Sequence, residues 1–369
     1  MIFPNLEIID KDDAVYFHND GDEGVRRYFY IRNIYQPDET TAYLFLSQEF
    51  TNITNASNYI IKKGYTKLFI FIDDIFRDHL MFTNAQAEIK AVKEILEKTN
   101  IKDYRIFHCE MLNKGNYENP FDVDIEYYDM FLTHWIKKNP YDHELNINFE
   151  NKISFYNNRD DYHRQYMAAM LINNNDIDLT LNQKHRYTYI ANQSKFPINQ
   201  FSKGFQRRLK SNLIQLDKVH RNYVDGNNSE LKMIDNYKEQ HDDKVVRWIE
   251  NSFVNLVGET TYYLPYPYIS EKSLKPMLAH RPFIMLGPHK SLEVLRELGF
   301  KTFDKWVDED YDKEPDPHKR LEMVYKLTQD VLRKDPDELK EMLLAMGGVL
   351  RHNKKVVDRL PHDIWESLL

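Results

Sequence analysis

Cysteine is almost absent from this chain of 369 residues, which contains only Cys109. A disulfide within the chain is therefore excluded, and a reducing compartment such as the cytoplasm is the expected location. We also expect no secretory signal, because the first residues lack a basic region and an apolar core, and Asp10, Asp12 and Asp13 arrive too early for one. These absences exclude a small disulfide-stapled scaffold and favour an intracellular protein.

Long apolar runs are also lacking. The longest strongly apolar run covers residues 68–72, which is much too short to cross a bilayer, so we expect no membrane span. Lys and Arg together number 50 against 58 Asp and Glu, which gives a net charge of -8. This balance argues against a surface that binds polyanions in general, although a local basic groove stays compatible with it.

Predicted strands and helices alternate along both halves of the chain. In the first half, residues 41–47 and 67–72 indicate strands, residues 85–98 have the apolar spacing of an amphipathic helix, and residues 104–109 indicate a further strand. In the second half, residues 283–286 form an apolar run between two short predicted helices. Such alternation predicts an α/β protein built from two Rossmann-like domains with parallel sheets.

The expected domain boundaries follow polar stretches. We expect an N-terminal domain over 1–180, a C-terminal domain over 181–345 and a helical tail over 346–369. The Asn-rich residues 146–158 and 173–178 indicate surface connections rather than regular structure. Further strands are predicted over 187–191 and 300–303, and Gly347-Gly348 is predicted to interrupt a helix.

The most informative stretch begins at Ser270, a good helix N-cap, followed by Glu271 in the first helical turn, where the helix dipole favours an anion. Lys272 comes next, and the strand 283–286 ends in a Gly-Pro turn. The charge pair therefore lies at a helix start on the loop edge of a sheet, where α/β folds bind ligands. As first-turn charges, Glu271 and Lys272 are expected to be exposed and to contribute little to stability.

These residues resemble a known motif. Ile269-Ser270-Glu271-Lys272, followed by a strand that begins with a proline, resembles the donor-binding motif of family 10 (α-1,3-fucosyltransferase-like) glycosyltransferases and of related bacterial and phage enzymes. The upstream run FVNLVGET, residues 253–260, also resembles their pattern of a strand that ends in Glu-Thr. The resemblance implies a GT-B glycosyltransferase, in which two Rossmann-like domains face each other across a cleft.

The resemblance also implies roles for particular residues. Glu271 is expected to bind ribose hydroxyls, Lys272 to bind the donor phosphates, and Glu259 to line the cleft at a strand end. In the resembling enzymes a strand ending in Asn-Arg precedes a His-Arg dipeptide, whereas Asn192 is followed here by Gln193. Arg207 or Arg208 is then the expected contact of the donor diphosphate, since a guanidinium binds phosphate oxygens in pairs. A solvated basic helix face explains these two arginines equally well.

Transfer of a sugar also needs a group that takes the proton of the acceptor hydroxyl. Glu49, Asp73 and Asp74 follow predicted strands of the first half and are the candidate bases, and nothing in the sequence chooses among them. No Asp-x-Asp arrangement follows a predicted strand of the donor domain, so we expect metal-independent chemistry with no bound metal and no cofactor beyond the nucleotide-sugar substrate.

Two other functions fit the same residues. A phage-type enzyme that glycosylates modified DNA bases would need a basic, aromatic-lined groove, and the net charge of -8 mildly disfavours it. A binding module without catalytic activity would lack a carboxylate facing the nucleotide or sugar. The acceptor is therefore expected to be a glycan, a small molecule or modified DNA, and the sequence leaves the oligomeric state open.

Overall fold

A computed structural model gives the structure of the chain. It describes residues 41–47, 53–73, 81–108, 126–127, 144–157, 161–182, 196–224, 232–234, 243–260, 262–263, 267 and 269–368. The chain divides into two compact units, Met1–His134 with His362–Leu369, and Trp135–Pro361. Within the described residues, no helix has the length and apolar character needed to cross a membrane.

The first unit contains a parallel sheet of four described strands. The strands are β1 (Thr41–Ser47), β2 (Lys67–Asp73), β3 (Asp103–His108) and β4 (Glu126–Tyr127), and they lie side by side in chain order. Helix α1 (Ile53–Lys63) connects β1 to β2, and α2 (Met81–Thr99) connects β2 to β3. Successive residues of β2 are buried, as expected of a strand covered on both faces.

The second unit contains a parallel sheet of five described strands. These are β5 (Asn151–Asn157), β6 (Ile177–Asn182), β7 (Lys232–Ile234), β8 (Ser252–Gly258) and β9 (Phe283–Leu286), in the spatial order β7-β6-β5-β8-β9. The connecting helices are α3 (Tyr162–Leu171), α4 (Lys203–Val224), α5 (Asp243–Glu250) and α6 (Glu271–Leu278). Three helices follow β9: α7 (Ser291–Glu297), α8 (Pro317–Arg333) and α9 (Pro336–Leu368).

This strand order creates a switch point between β5 and β8. The chain adds β6 and then β7 on one side of β5, and then returns to place β8 on the other side. Connections on the two sides therefore diverge, which opens a crevice at the carboxyl ends of the two central strands. Open α/β sheets bind ligands at such a point, so the residues after Asn157 and Gly258 matter most.

The predicted α/β class with parallel sheets is confirmed, and the predicted strands at 41–47 and 283–286 match β1 and β9. The facing arrangement of two domains across a cleft stays a prediction. The expected boundary at 180/181 falls inside β6, and β5 and β6 pair with strands later in the chain. The two compact units instead divide near residue 135.

Three local predictions were wrong. Residues 146–158 contain the central strand β5, because the buried Ile153, Ser154 and Phe155 lie between polar ends. Residues 300–303 form no strand: their buried rings pack inward, while the amide and carbonyl of Lys301 bind the side chain of Asn353. The pair Gly347-Gly348 leaves α9 unbroken, so the predicted tail 346–369 begins within that helix.

A buried arginine fixes the segment that leads into β5. Arg281 is fully buried, and its guanidinium donates hydrogen bonds to the carbonyl oxygens of Asn146, Asn148, Glu250 and His280. One side chain thereby holds the residues before β5 against the end of α5. Buried carbonyl groups that lose such donors are costly, because water does not reach them in compensation.

We expect Arg281→Met to lower the free energy of unfolding by about 2–4 kcal/mol, because several carbonyl oxygens lose their donor at once. Arg333→Met is the matched control, since Arg333 is largely exposed and pairs with Asp330 on its own helix. The control should change the free energy by at most about 0.5 kcal/mol. Urea unfolding measures both, and equal losses would contradict a special role for Arg281.

Candidate functional site

The start of α6 lies at the carboxyl edge of the second sheet, next to the end of β8. Ser270 caps the helix, and its hydroxyl oxygen accepts a hydrogen bond from the Lys272 amide. Glu271 occupies the first turn and Lys275 follows one turn later. The predicted cap and short helix are confirmed, and Pro276 lies within the helix near its end.

Glu259 fastens this helix start to the sheet. It follows β8 directly, is completely buried, and its carboxylate accepts hydrogen bonds from the Ser270 amide (3.0 Å) and the Ser270 hydroxyl (2.6 Å). The Ser273 hydroxyl and the Thr260 amide also donate to the carboxylate. Glu259 was expected to line a cleft as a donor-binding residue. Its oxygens instead hold protein groups in this structure, and a direct contact with ligand stays a prediction.

Glu271 and two lysines form a compact charge cluster. Oε1 of Glu271 lies 3.0 Å from Nζ of Lys272 and 3.9 Å from Nζ of Lys275. Lys272 also donates to the hydroxyls of Thr260 and Ser270. Glu271 is only 5% exposed, so the expectation of an exposed first-turn charge was wrong for this residue. Its carboxylate is covered by the surrounding protein and is removed from water.

Lys275 is the most perturbed cation of the cluster. Burial lowers the pKa of Lys275 to about 8, and the carboxylate of Glu271 opposes part of that shift. Its ammonium group therefore loses its proton more readily than that of an ordinary lysine. A bound anion nearby would stabilise the charged form, so the cluster is electrostatically suited to bind one.

The start of α3 reaches the same edge of the sheet. The guanidinium of Arg164 donates to the backbone carbonyl of Glu259 through Nη2 (2.6 Å) and Nε (3.2 Å), and it pairs with Asp161 at 3.6 Å. Gly258 permits this approach, because a Cβ there would lie 3.3 Å from the Arg164 side chain and from Phe155. Arg164 thus joins the ends of β5 and β8 at the switch point.

His163 binds the same carbonyl. Its Nε2 lies 3.0 Å from the Glu259 oxygen, and its ring stacks on Tyr262 at a centroid distance of 4.8 Å. Burial lowers the pKa of His163 well below its usual range, so the ring is neutral and Nε2 carries the proton that binds the carbonyl. Tyr262 therefore packs here on a histidine.

Sequence reasoning missed Arg164 and His163, although a signal was present. The resembling enzymes carry Asn-Arg at a strand end and then His-Arg, and this chain has Asn158-Arg159 and His163-Arg164 after β5. The polar, Asn-rich residues 146–158 were not predicted to form a strand, and the Asn-Arg pattern was expected at 187–191 instead. That later range lies outside the described residues.

The other predicted site residues lie elsewhere or are not described. Arg207 and Arg208 are exposed on α4, and Arg208 donates to the Tyr325 hydroxyl at 2.7 Å. Among the described contacts, none joins either arginine to the cluster at the start of α6. Asp73 closes β2 at the carboxyl edge of the first sheet. Glu49 and Asp74 lie outside the described residues, so the base and the phosphate contacts of the arginines stay predictions.

Acidic side chains after residue 303 form ion pairs with a nearby arginine and a nearby lysine. Arg296 pairs with Glu309, and Lys313 pairs with Asp310 at 2.7 Å. A cavity of about 550 Å³ lies among these side chains. Within the part of the chain that the structure describes, no group of three or more His, Cys, Asp and Glu side chains is arranged to hold a metal ion.

Comparison of the chain with protein-family models and with curated proteins found no match. Solved structures with low similarity include a mutant of T4 phage BGT in complex with UDP-glucose, at a TM-score of 0.38, and T4 phage BGT in complex with UDP and Mn2+, at 0.39. Each is 10% identical, and the alignments cover 92% of this chain and 84% of the other. Likeness this slight carries no argument, so the resemblance to family 10 enzymes still depends on its motif residues.

The lowered pKa of Lys275 predicts a pH dependence of stability. Its folded value of about 8 lies below the ordinary 10.5, so the unfolded chain binds more protons between these values and stability rises with pH there. The free energy of unfolding of wild type minus that of Lys275→Met should therefore increase by up to about 3 kcal/mol as pH rises from 8 to 10.5.

Urea unfolding across this range measures the gap. Lys340→Met controls for the loss of one charge, because Lys340 is a partly exposed surface lysine paired with Asp337 on its own helix. Its profile should run parallel to that of wild type. A gap between wild type and Lys275→Met that stays constant with pH would show that Lys275 is not perturbed by burial.

Proposed function

We propose that this chain is a metal-independent glycosyltransferase of the GT-B kind, which binds a nucleotide-sugar donor at the carboxyl edge of its second sheet. One observation carries the proposal: a capped helix start, held by a buried carboxylate, presents two lysines beside the switch point of a parallel sheet. Helix N-termini and ammonium groups together favour a diphosphate.

The cluster contains the groups that the leaving diphosphate requires. In glycosyl transfer the acceptor oxygen forms a bond to the anomeric carbon, the bond from that carbon to the diphosphate breaks, and the diphosphate departs with the bonding electrons. Lys272 and Lys275 stabilise the charge that develops on it. The bound anion also raises the pKa of Lys275, because it opposes the effect of burial.

Glu271 has a different role in this proposal. A carboxylate beside a diphosphate is repelled by it unless it binds a neutral donor, and the ribose hydroxyls of a nucleotide provide such donors. Two lysines already hold Glu271 in place, so its carboxylate is oriented before the nucleotide arrives. Pre-orientation reduces the entropy lost on binding.

The acceptor side of the reaction belongs to the first unit. A general base there takes the proton of the acceptor hydroxyl, and Glu49, Asp73 and Asp74 are the candidates. Asp73 is the last residue of β2, and the carboxyl ends of parallel strands are where α/β sheets present catalytic groups. A glycan, a small molecule or modified DNA is the proposed acceptor, and the motif at 269–272 favours a fucosyltransferase-like enzyme.

Substitutions at Glu271 and Lys272 separate the two proposed contacts. Lys272→Ala should weaken binding of a nucleoside diphosphate and of pyrophosphate alike, by about 1.5–3 kcal/mol, because both ligands lose one charged hydrogen bond. Glu271→Gln should weaken only the nucleoside diphosphate. Isothermal titration with UDP, GDP, ADP, CDP and TDP, and with pyrophosphate, measures these effects.

Stability has to be measured in the same variants. Glu271→Gln removes the counter-charge of two lysines, one of them buried, so it should also lower the unfolding midpoint. Affinity is therefore compared per folded molecule, with Lys340→Ala as the partly exposed control. Unchanged nucleotide affinity in both site variants would make the cluster structural and remove the main support for the proposal.

Chelation tests the metal-independent part of the proposal. Nucleotide binding should survive excess EDTA with less than about a twofold change in affinity, because the lysines and the helix start supply the positive charge. Titration with and without EDTA, and with added Mn2+, measures this directly. Binding that appears only with added metal would overturn the metal-free mechanism while leaving the nucleotide site itself in place.

A further inference from the structure

Asn157 is an unusual residue at the end of the central strand β5. Its side chain is completely buried, and neither its amide nitrogen nor its amide oxygen has a hydrogen-bond partner among the described residues. A buried primary amide has two donor hydrogens and one acceptor oxygen to satisfy. Such a group is costly to leave unpaired, so its presence calls for an explanation beyond packing.

A neighbouring asparagine shows the ordinary arrangement. Asn255 is buried in the adjacent strand β8, and its amide donates to the backbone oxygen (3.2 Å) and the hydroxyl (3.0 Å) of Ser154. The same sheet therefore contains one buried asparagine whose amide joins two strands and one whose amide has no partner among the described residues. The two residues differ in position, since Asn157 is the last residue of β5 and Asn255 lies in the middle of β8.

Asn157 lies at the switch point of the sheet. β5 ends at Asn157 and the neighbouring β8 ends at Gly258, next to Glu259 and the start of α6. His163, on the helix that follows β5, also keeps a buried ring nitrogen, Nδ1, without a partner among the described residues. Among the described residues, the last residue of β5 and the first turn of α3 thus each keep an unmet hydrogen-bonding group, at the edge where this topology places a ligand.

We propose that Asn157 is a ligand-binding residue that pairs with a neutral group offering a donor and an acceptor side by side. The edge of a nucleobase and adjacent hydroxyls of a sugar both have that chemistry. A phosphate does not, since it would occupy the amide hydrogens and leave the amide oxygen unmet. The inference rests on the proposed function for the choice of ligand, and it adds a neutral subsite to the charged one at the start of α6.

Asn157→Leu tests the subsite, because leucine has the same branched arrangement of side-chain heavy atoms and no hydrogen-bonding atoms. Without ligand the variant should unfold at the same midpoint as wild type or higher, since an unmet amide has been removed. It should bind the best of UDP, GDP, ADP, CDP and TDP about tenfold more weakly and should bind pyrophosphate as wild type does. Asn255→Leu, the matched control, should unfold at a lower midpoint and keep its nucleotide affinity.

Two further probes identify the neutral group. A loss that appears already with the bare nucleoside assigns Asn157 to the base or ribose. A loss that appears only with the sugar conjugate, such as UDP-glucose in place of UDP, assigns it to the transferred sugar. Where the leucine variant fails to fold, Asn157→Ala serves for the same titrations, with Asn255→Ala beside it.

The outcomes separate this inference from the proposed function. If wild type binds a nucleotide and Asn157→Leu binds every probe equally well, the subsite is overturned and the function stands. If Asn157→Leu unfolds as readily as Asn255→Leu, the amide is structurally paired and the subsite is again overturned. If no nucleotide binds to wild type, the proposed function fails, and the neutral subsite loses its ligand with it.

Discussion

The carboxylate of Glu259 is the group on which the arrangement of the second unit's edge depends. It is buried, and among the described residues its hydrogen-bond donors are neutral groups, two hydroxyls and two backbone amides. Those bonds fix Ser270 and Ser273, and the position of that first turn then sets where Glu271, Lys272 and Lys275 lie. A carboxylate satisfied in this way tolerates burial, whereas one left unpaired would be too costly to keep.

Buried cations add a second constraint at the same edge. Arg164 binds the carbonyl of Glu259, and Arg320 binds the carbonyls of Tyr262 and Gly287 while lying over the Tyr262 ring at 4.6 Å. The loops after β8 and β9 are thus held by guanidinium groups that donate in fixed directions. Both guanidinium groups are bonded to backbone carbonyl oxygens, as that of Arg281 is, and they hold these loops beside the switch point.

The sequence predicted what depends on local pattern and missed what depends on distant partners. Continuous apolar runs gave β1 and β9, and the Ser270 cap gave the start of α6. β5 was missed because its asparagine-rich ends resemble a surface connection. Arg164, on the helix that follows β5, was missed with it. The burial of Glu271 could not be predicted either, since the first turn of a helix is usually open and only the fold of the sheet edge covers it.

Hydrogen exchange of the backbone amides tests the central claim most directly, because it locates a bound nucleotide without any substitution. Exchange would be followed in wild type with and without a nucleoside diphosphate at a concentration that saturates it in titration. The account predicts slower exchange at residues 269–275 and on the helix after β5, since these groups face the ligand. Slower exchange confined to residues 290–313 or to the first unit, with none at the start of α6, would contradict it.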